Sequence, residues 1–174
     1  MNYPTTFPEL SSERLQLRQL SFTDKRTIFK LRSSKEINKL ITRNIPKNLN
    51  DADSFIQTCL DEFDKGNRIF WAMQLKETNQ IIGTIVYHNI NAENNYAEIG
   101  YELNPDFQNE GFMSEAMNTV LEYGKSILKL KTVEAFTHKN NTASITLLKK
   151  HQFILDDDDL FDDNTIFRLD IHQE

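Results

Sequence analysis

Two carboxylates stand close together in the stretch "YAEIGYEL", Tyr96 to Leu103. Side chains alternate along an extended strand. Tyr96, Glu98, Gly100 and Glu102 therefore share one face, and Ala97, Ile99, Tyr101 and Leu103 share the other. Carboxylates so placed can take up a proton or hold a water, or they can simply face solvent. The next stretch, "DFQNEGFMSEA" from Asp106 to Ala116, spends one of only five glycines where a strand-like run turns into a helix-like one. The first turn of a helix leaves backbone N–H groups unpaired, and they point at whatever sits there. Glycine lets a ligand approach that backbone closely. A strand–loop–helix unit of this kind is a candidate phosphate site, and a plain turn is the other reading of the same residues.

The elements that must position these groups can be read along the chain. "RLQLRQL" alternates apolar and polar residues and reads as a strand. "TDKRTIFKLRSS" follows as a helix, with Thr23 as its N-cap and Ile28, Phe29 and Leu31 inward. "NDADSFIQTCLDEFDKG" is a second helix. Asn50 is placed to cap it, Phe55, Ile56, Cys59, Leu60 and Phe63 form one stripe, and Gly66 falls where a C′ residue belongs. Three strands, "IFWAMQL", "IIGTIVYHNI" and "YAEIGYEL", are separated by short polar segments, which predicts an antiparallel meander. A helix from Gly111 to Leu128 turns Met113, Met117, Val120, Leu121, Gly124 and Leu128 to one side. "TVEAFTH" is a strand, and "NTASITLLKKH" is a short helix beginning at Asn141 or Thr142. "FILDDDD" and "NTIFRLDI" form a closing hairpin. Clustered strands that then alternate with helices predict a mixed α+β or α/β sheet fold, here as one domain over residues 1–174.

Bulk properties narrow the function. The chain is 39% apolar and 26% charged, an ordinary globular balance. No apolar run approaches the roughly 20 residues of a membrane span. The start "MNYPTTFPEL" lacks the basic and apolar regions of a signal peptide, so a cytoplasmic location is expected. Cys59 is the single cysteine, which excludes an intrachain disulfide and a Cys-rich metal site. A net charge of −6 argues against nucleic-acid binding through a broad basic surface. It does not argue against a small anion held by backbone amides.

In "AEIGYEL", "QNEGFM" and "SEA", taken in that order, the chain resembles the GNAT superfamily of acetyl-CoA-dependent N-acetyltransferases. It is most similar to the branch of the ribosomal-protein-alanine N-acetyltransferases. Further on, "NTASITLLKKHQF" supplies Asn141, Ser144, Lys150 and Phe153 of that branch's N-x-x-S and Lys-"GF" pattern. "LSSERLQLRQLSFTD" and "IIGTI" resemble its first and third strands. The resemblance implies the GNAT fold, a mixed and mostly antiparallel sheet with helices on both faces. It implies that the pyrophosphate of coenzyme A sits on amides of Gln108, Asn109, Glu110, Gly111, Phe112, Met113 and Ser114. The pantetheine arm would pair with backbone from Tyr101 to Leu103, with Asn141 and Ser144 near the arm and its thiol. Three positions depart from the pattern: Met113 replaces a small residue, Glu110 stands where many relatives carry Lys or Arg, and Gln152 replaces the glycine of "GF".

The implied reaction is direct transfer of acetyl from acetyl-CoA to a primary amine. It needs a neutral amine, a stabilised oxyanion and a proton for the leaving thiolate. Glu98, which matches the acid of "AEIGY", is the first candidate base, and Glu102, nearer the expected thioester, is the second. The tyrosine that many family members place in the last helix is Leu148 here, so Ser144 is the available hydroxyl. A protein N-terminus, with a pKa of about 7.7–8.0, asks less of a base than a lysine at about 10.4, and is the preferred acceptor. A small amine (polyamine, aminoglycoside or amino acid) and a module that binds acyl-CoA without turnover are the alternatives. The protein is expected to work as a monomer or homodimer, without metal, nucleic acid or membrane. Arg32, Arg43 and Lys47, in the segment joining the first two helices, either meet an acidic acceptor or are surface charges. The acidic run Asp156 to Asp159, with Asp162 and Asp163, lacks the order of a calcium loop and reads as a solvated hairpin. His88, His138, His151 and His172 show no metal-binding spacing.

Overall fold

A computed structural model describes residues 1–156 and 163–171. Strands β1 (Leu10–Ser11) and β2 (Leu15–Gln19) lead into helices α1 (Lys25–Ser33) and α2 (Leu49–Asp64). Then come β3 (Ile69–Leu75), β4 (Ile81–Asn91), β5 (Tyr96–Leu103) and α3 (Phe112–Tyr123). The chain closes with β6 (Thr132–His138), α4 (Thr142–Lys150), β7 (Ile154–Leu155) and β8 (Asn164–Asp170). The strands form one eight-stranded sheet in the order β1-β2-β3-β4-β5-β6-β8-β7. The β3-β4-β5 meander is antiparallel as its short polar connections predict. The closing hairpin pairs β7 with β8, and β8 lies inside it, against β6. The tip of the acidic run (157–162) and His172 lie outside the described residues.

The sheet carries a core on each face. Along β3, Ile69, Trp71 and Met73 enter the larger core beneath α3, while Phe70 and Ala72 enter the smaller core beneath α1 and α2. A strand covered on both sides must be apolar at every position, and "IFWAM" is. Trp71, Met73, Ile85 and Tyr87 are fully buried. Each such side chain stabilises the fold by roughly 1.5–3 kcal/mol relative to leaving it in water.

The feature that makes room for a site is a break in the sheet. Strands β5 and β6 run parallel but pair only through Tyr96–Glu98 and Thr132–Glu134. Beyond Glu98, β5 stays with β4 as far as Gly83↔Leu103, whereas β6 stays with β8 as far as His138↔Asn164. The two strands part, and a V-shaped gap opens between unpaired edges. Gly83 holds β4 close to the end of β5, since a Cβ there would stand 2.4 Å from the Glu102 carbonyl oxygen.

Three local expectations are corrected. The first helix begins at Lys25 with Asp24, not Thr23, at its N-cap, and Ser21 caps the 3-10 turn, Phe22–Asp24, that precedes it. The reason is Asp24, whose carboxylate accepts from the Ser21 amide at 2.8 Å and pairs with Arg18. Asn48, not Asn50, caps α2: its Oδ1 accepts from the Asp51 amide at 3.0 Å, while Asp51 in turn accepts from the Lys47 amide. The third helix is α-helical only to Tyr123 and ends in a π-helical turn, Gly124–Leu128. There the Tyr87 phenol packs against Gly124 and donates to the Val120 carbonyl at 3.1 Å.

Candidate active site

One cavity of about 440 Å³ opens at the splayed end of β5. Tyr101, Glu102 and Leu103 form its strand wall, and Asn141 and Ser144 at the start of α4 face them. The loop contributes Gln108, Asn109 and Gly111, and the first turn of α3 contributes Phe112, Met113 and Ser114. The expected cofactor residues therefore converge, with one exception. Glu110 is exposed and does not line the cavity. Met113 takes its side chain into the core, where it is 8% exposed, so the departure from a small residue adds little bulk to the loop surface.

The loop has an unusual backbone. Asn109 and Gly111 both adopt left-handed backbone, φ +62° and φ +82°. Left-handed residues alternating with ordinary ones turn successive amides to the same side of the chain, forming an anion-binding concavity. Among the described residues, the amides of Asn109, Glu110, Gly111, Phe112, Met113 and Ser114 have no hydrogen-bond partner; the first amide of α3 to find one is Glu115, on the Gly111 carbonyl. Gln108 closes the loop onto the strand by donating from Nε2 to the Leu103 carbonyl at 3.3 Å.

The expected acid–base residues divide between the two sheet faces. On the α3 side, the Tyr101 hydroxyl and Ser144 Oγ meet at 2.7 Å. Asn141 caps α4 through the Ser144 amide, at 3.1 Å, and so fixes where that hydroxyl stands. Burial pushes the Tyr101 phenol up to about 12, although the Ser144 contact works the other way. On the α1–α2 side, Glu102 is buried and its carboxylate is taken by Arg43, with Thr84 Oγ1 at 3.4 Å. Glu98 does not line the cavity. It stands where β5 and β6 part, 3.6 Å from His88 Nδ1, and the Tyr96 hydroxyl donates to it at 3.3 Å.

Sequence reasoning missed several of these groups. His88 was set aside for want of metal spacing, but cross-strand pairing puts it opposite Glu98. Burial, helped by Arg68, lowers its pKa against the pull of Glu98. His151 lies beneath the loop, its Nε2 3.0 Å from Ser114 Oγ, and burial followed by Lys150 lowers its pKa too. Ile37, Leu40 and Ile41, together with Glu36 and Lys39, line the cavity from a segment whose only sequence signal was its position between two helices. Arg43 in that segment reaches inward to Glu102 and to Asn38, with Nε donating at 2.6 Å, and Arg32 stacks over the Phe55 ring at 3.8 Å. His138 accepts from the Asn140 amide and shapes the turn before α4. Among the described residues, no group of three or more His, Cys, Asp or Glu is placed to hold a metal ion.

Comparison with known proteins is consistent across sequence and shape. Residues 14–154 match the model of the acetyltransferase (GNAT) domain family. The N-acetyltransferase YoaA of Bacillus subtilis is 35% identical over 147 residues, 84% of this chain and 83% of that protein. RimJ of Mycobacterium smegmatis, solved with CoA-disulfide, shares the fold with a TM-score of 0.85 at 15% identity, covering 97% of this chain and 90% of that one. RimL, a ribosomal L7/L12 α-N-protein acetyltransferase solved with coenzyme A, has a TM-score of 0.80 at 16% identity, covering 100% of both chains.

Proposed function

The chain belongs to the acetyltransferase (GNAT) domain family, and from that premise we propose that it acetylates the α-amine at a protein or peptide N-terminus. Acetyl-CoA-dependent acyl transfer follows from the family. The acceptor and the residue roles are our reading. The observation that carries the cofactor site is the set of unpartnered amides at Asn109, Gly111, Phe112, Met113 and Ser114, residues that line the cavity. Such amides fit a pyrophosphate, and the unpaired edge of β5 past Glu98 fits an extended, amide-bearing arm.

When bound, acetyl-CoA supplies an activated acetyl thioester. The amides of the loop and of the first turn of α3 hold its pyrophosphate, and the backbone from Tyr101 to Leu103 orients its arm. Ser144 Oγ carries the proton destined for the leaving sulfur, and Tyr101, neutral across the working pH range, orients that hydroxyl. On the opposite sheet face, Glu98 with His88, outside the cavity, takes the amine proton by way of water. Glu102, already committed to Arg43, is the weaker candidate. Ile37, Leu40 and Ile41 give the cavity apolar lining.

An α-amine suits this equipment. With a pKa of about 7.7–8.0 it is partly neutral near pH 7, whereas a lysine at about 10.4 requires a stronger base. The fold shared with RimL, described as a ribosomal L7/L12 α-N-protein acetyltransferase, supports the same acceptor class. The test is calorimetric titration with acetyl-CoA, followed by thiol release with peptides bearing a free N-terminus. The same peptides blocked at the N-terminus but carrying lysine, and a panel of small amines, complete the comparison. Micromolar binding and release only with free α-amines are expected. Release only with polyamines, aminoglycosides or free amino acids overturns the acceptor class. Binding without release from any acceptor overturns the assigned roles. Gly111→Val, at a backbone angle that L side chains resist, should sharply weaken acetyl-CoA binding.

A further inference from the structure

The loop that bears the amides is gripped from behind by the first hairpin. Glu115, in the first turn of α3, accepts from Ser12 Oγ at 2.6 Å and from the Arg14 amide at 2.7 Å, both on Oε1. Its Oε2 accepts from Arg14 Nε at 2.7 Å. Arg14 does not stop there. Its Nη1 donates to the Glu110 carbonyl at 3.1 Å, and its guanidinium carbon lies 4.1 Å from the centre of the Phe112 ring. Its Nη2 lies 3.5 Å from where a Cβ on Gly111 would be. One side chain thus holds Glu110, the Phe112 ring and the carboxylate below them, and stands behind Gly111, without itself lining the cavity.

We propose that Arg14 is a positioning residue for the cofactor: it aims the Gly111 amide into the cavity. The proposal rests on the acetyl-CoA reading above. A trans peptide is planar, so its C=O and the following N–H point in opposite directions. By holding the Glu110 carbonyl, Arg14 turns the N–H of Gly111 away from itself, and Gly111 lines the cavity on that other side. Left-handed backbone costs glycine little, but glycine leaves other conformations open as well, so a contact from outside must select this one at Gly111. Arg14 also places a cation directly behind a loop whose own charged side chain is Glu110, and so offsets the acid at that position. Holding Nε to a carboxylate and Nη1 to a carbonyl at once takes a planar fork. An ammonium on a flexible stem cannot do both.

The alternative is a plain structural clamp between β2 and α3, and the test must separate the two. Arg14→Met keeps the stem over Phe112 and removes the fork; Arg14→Lys keeps the charge alone. Acetyl-CoA affinity is measured by calorimetry, the Michaelis constants for acetyl-CoA and for a peptide acceptor are measured separately, and melting temperature is followed in parallel. Both variants should bind acetyl-CoA roughly tenfold or more weakly. The loss should fall in KM for acetyl-CoA rather than in kcat or in KM for the acceptor. Wild-type affinity in a folded Arg14→Met overturns the proposal, and so does full rescue by Arg14→Lys, which would mean that charge alone suffices. A loss that follows melting temperature and falls equally on every kinetic constant assigns the clamp instead. Should Arg14→Met fail to fold, Arg14→Lys and Glu115→Gln carry the same comparison. Wild-type protein that binds no acetyl-CoA overturns the cofactor reading itself, an outcome distinct from a wild type that binds and an Arg14 variant that binds equally well.

Discussion

The hydroxyls of Tyr101 and Ser144 meet at 2.7 Å, one from the splayed end of β5 and the other from the first turn of α4. They hold the cavity wall together where the sheet itself does not, because β5 and β6 no longer pair there. With its phenol pushed up to about 12 by burial, Tyr101 stays protonated and serves as a fixed hydrogen-bond partner. Tyr101→Phe should therefore lower kcat by about tenfold while changing KM for acetyl-CoA little. Ser144→Ala should lower it at least as much, and the double variant should be no slower than Ser144→Ala. Additive losses in steady-state kinetics would separate the two residues.

The Arg43–Glu102 pair joins the segment between α1 and α2 to β5, with side chains only 13% and 5% exposed. Removing one partner of such a pair leaves a buried charge uncompensated. Arg43→Met should cost about 3 kcal/mol, a fall in melting temperature of roughly 6–12 °C. Arg43→Met combined with Glu102→Leu should recover most of that loss, since no charge remains to be desolvated. Urea denaturation of the single and double variants checks both statements.

Stability should depend on pH through His88 and His151. Burial lowers both below the ordinary imidazole value of about 6.5. The unfolded chain then binds protons that the folded chain refuses. Stability is fully present above about pH 6.5 and is lost as pH falls through the lower folded values, by at most about 1.4 kcal/mol per imidazole per pH unit. Asp24 and Glu115 are held below the usual carboxylate range: burial raises both, but Arg18 and Ser21 together outweigh it at Asp24, and Ser12 and Arg14 outweigh it at Glu115. Their contribution begins to fail only at more acid pH. Melting temperature recorded from pH 8 to pH 5 should decline, and the decline should be shallower in His151→Asn.

Gln152 ends α4 with φ +66°, in the left-handed position that glycine favours. The Phe153 amide reaches the Leu148 carbonyl and the Gln152 amide that of Lys149, the two bonds of a Schellman end. Gln152→Gly should stabilise the protein by roughly 1 kcal/mol, or about 2–4 °C in melting temperature, with no change in acetyl-CoA affinity. Calorimetric melting gives the first number and titration the second.

Much of this was legible before any coordinates. Alternation in "YAEIGYEL" and unbroken apolarity in "IFWAM" reflect period-two geometry and burial on both faces, which are local properties of a strand. The glycine at a strand-to-helix turn marked the loop, because positive φ and open helix amides are written into a few adjacent residues. Helix starts were read less well, since Asn48 competes with Asn50 and Asp24 with Thr23, and only the hydrogen bonds that Asn48, Asp51 and Asp24 make choose between them. What the chain could not announce is every contact between residues far apart in sequence. That Arg43 turns in to Glu102, that His88 falls opposite Glu98, that Ser114 rests on His151 and that Arg14 grips the loop all depend on sheet register and helix packing. Residue types and spacing determined the elements and the glycine-bearing loop before α3. The tertiary structure alone decided the partners of each ionisable group, because a side chain's neighbours are set by strand pairing and packing rather than by its place in the chain.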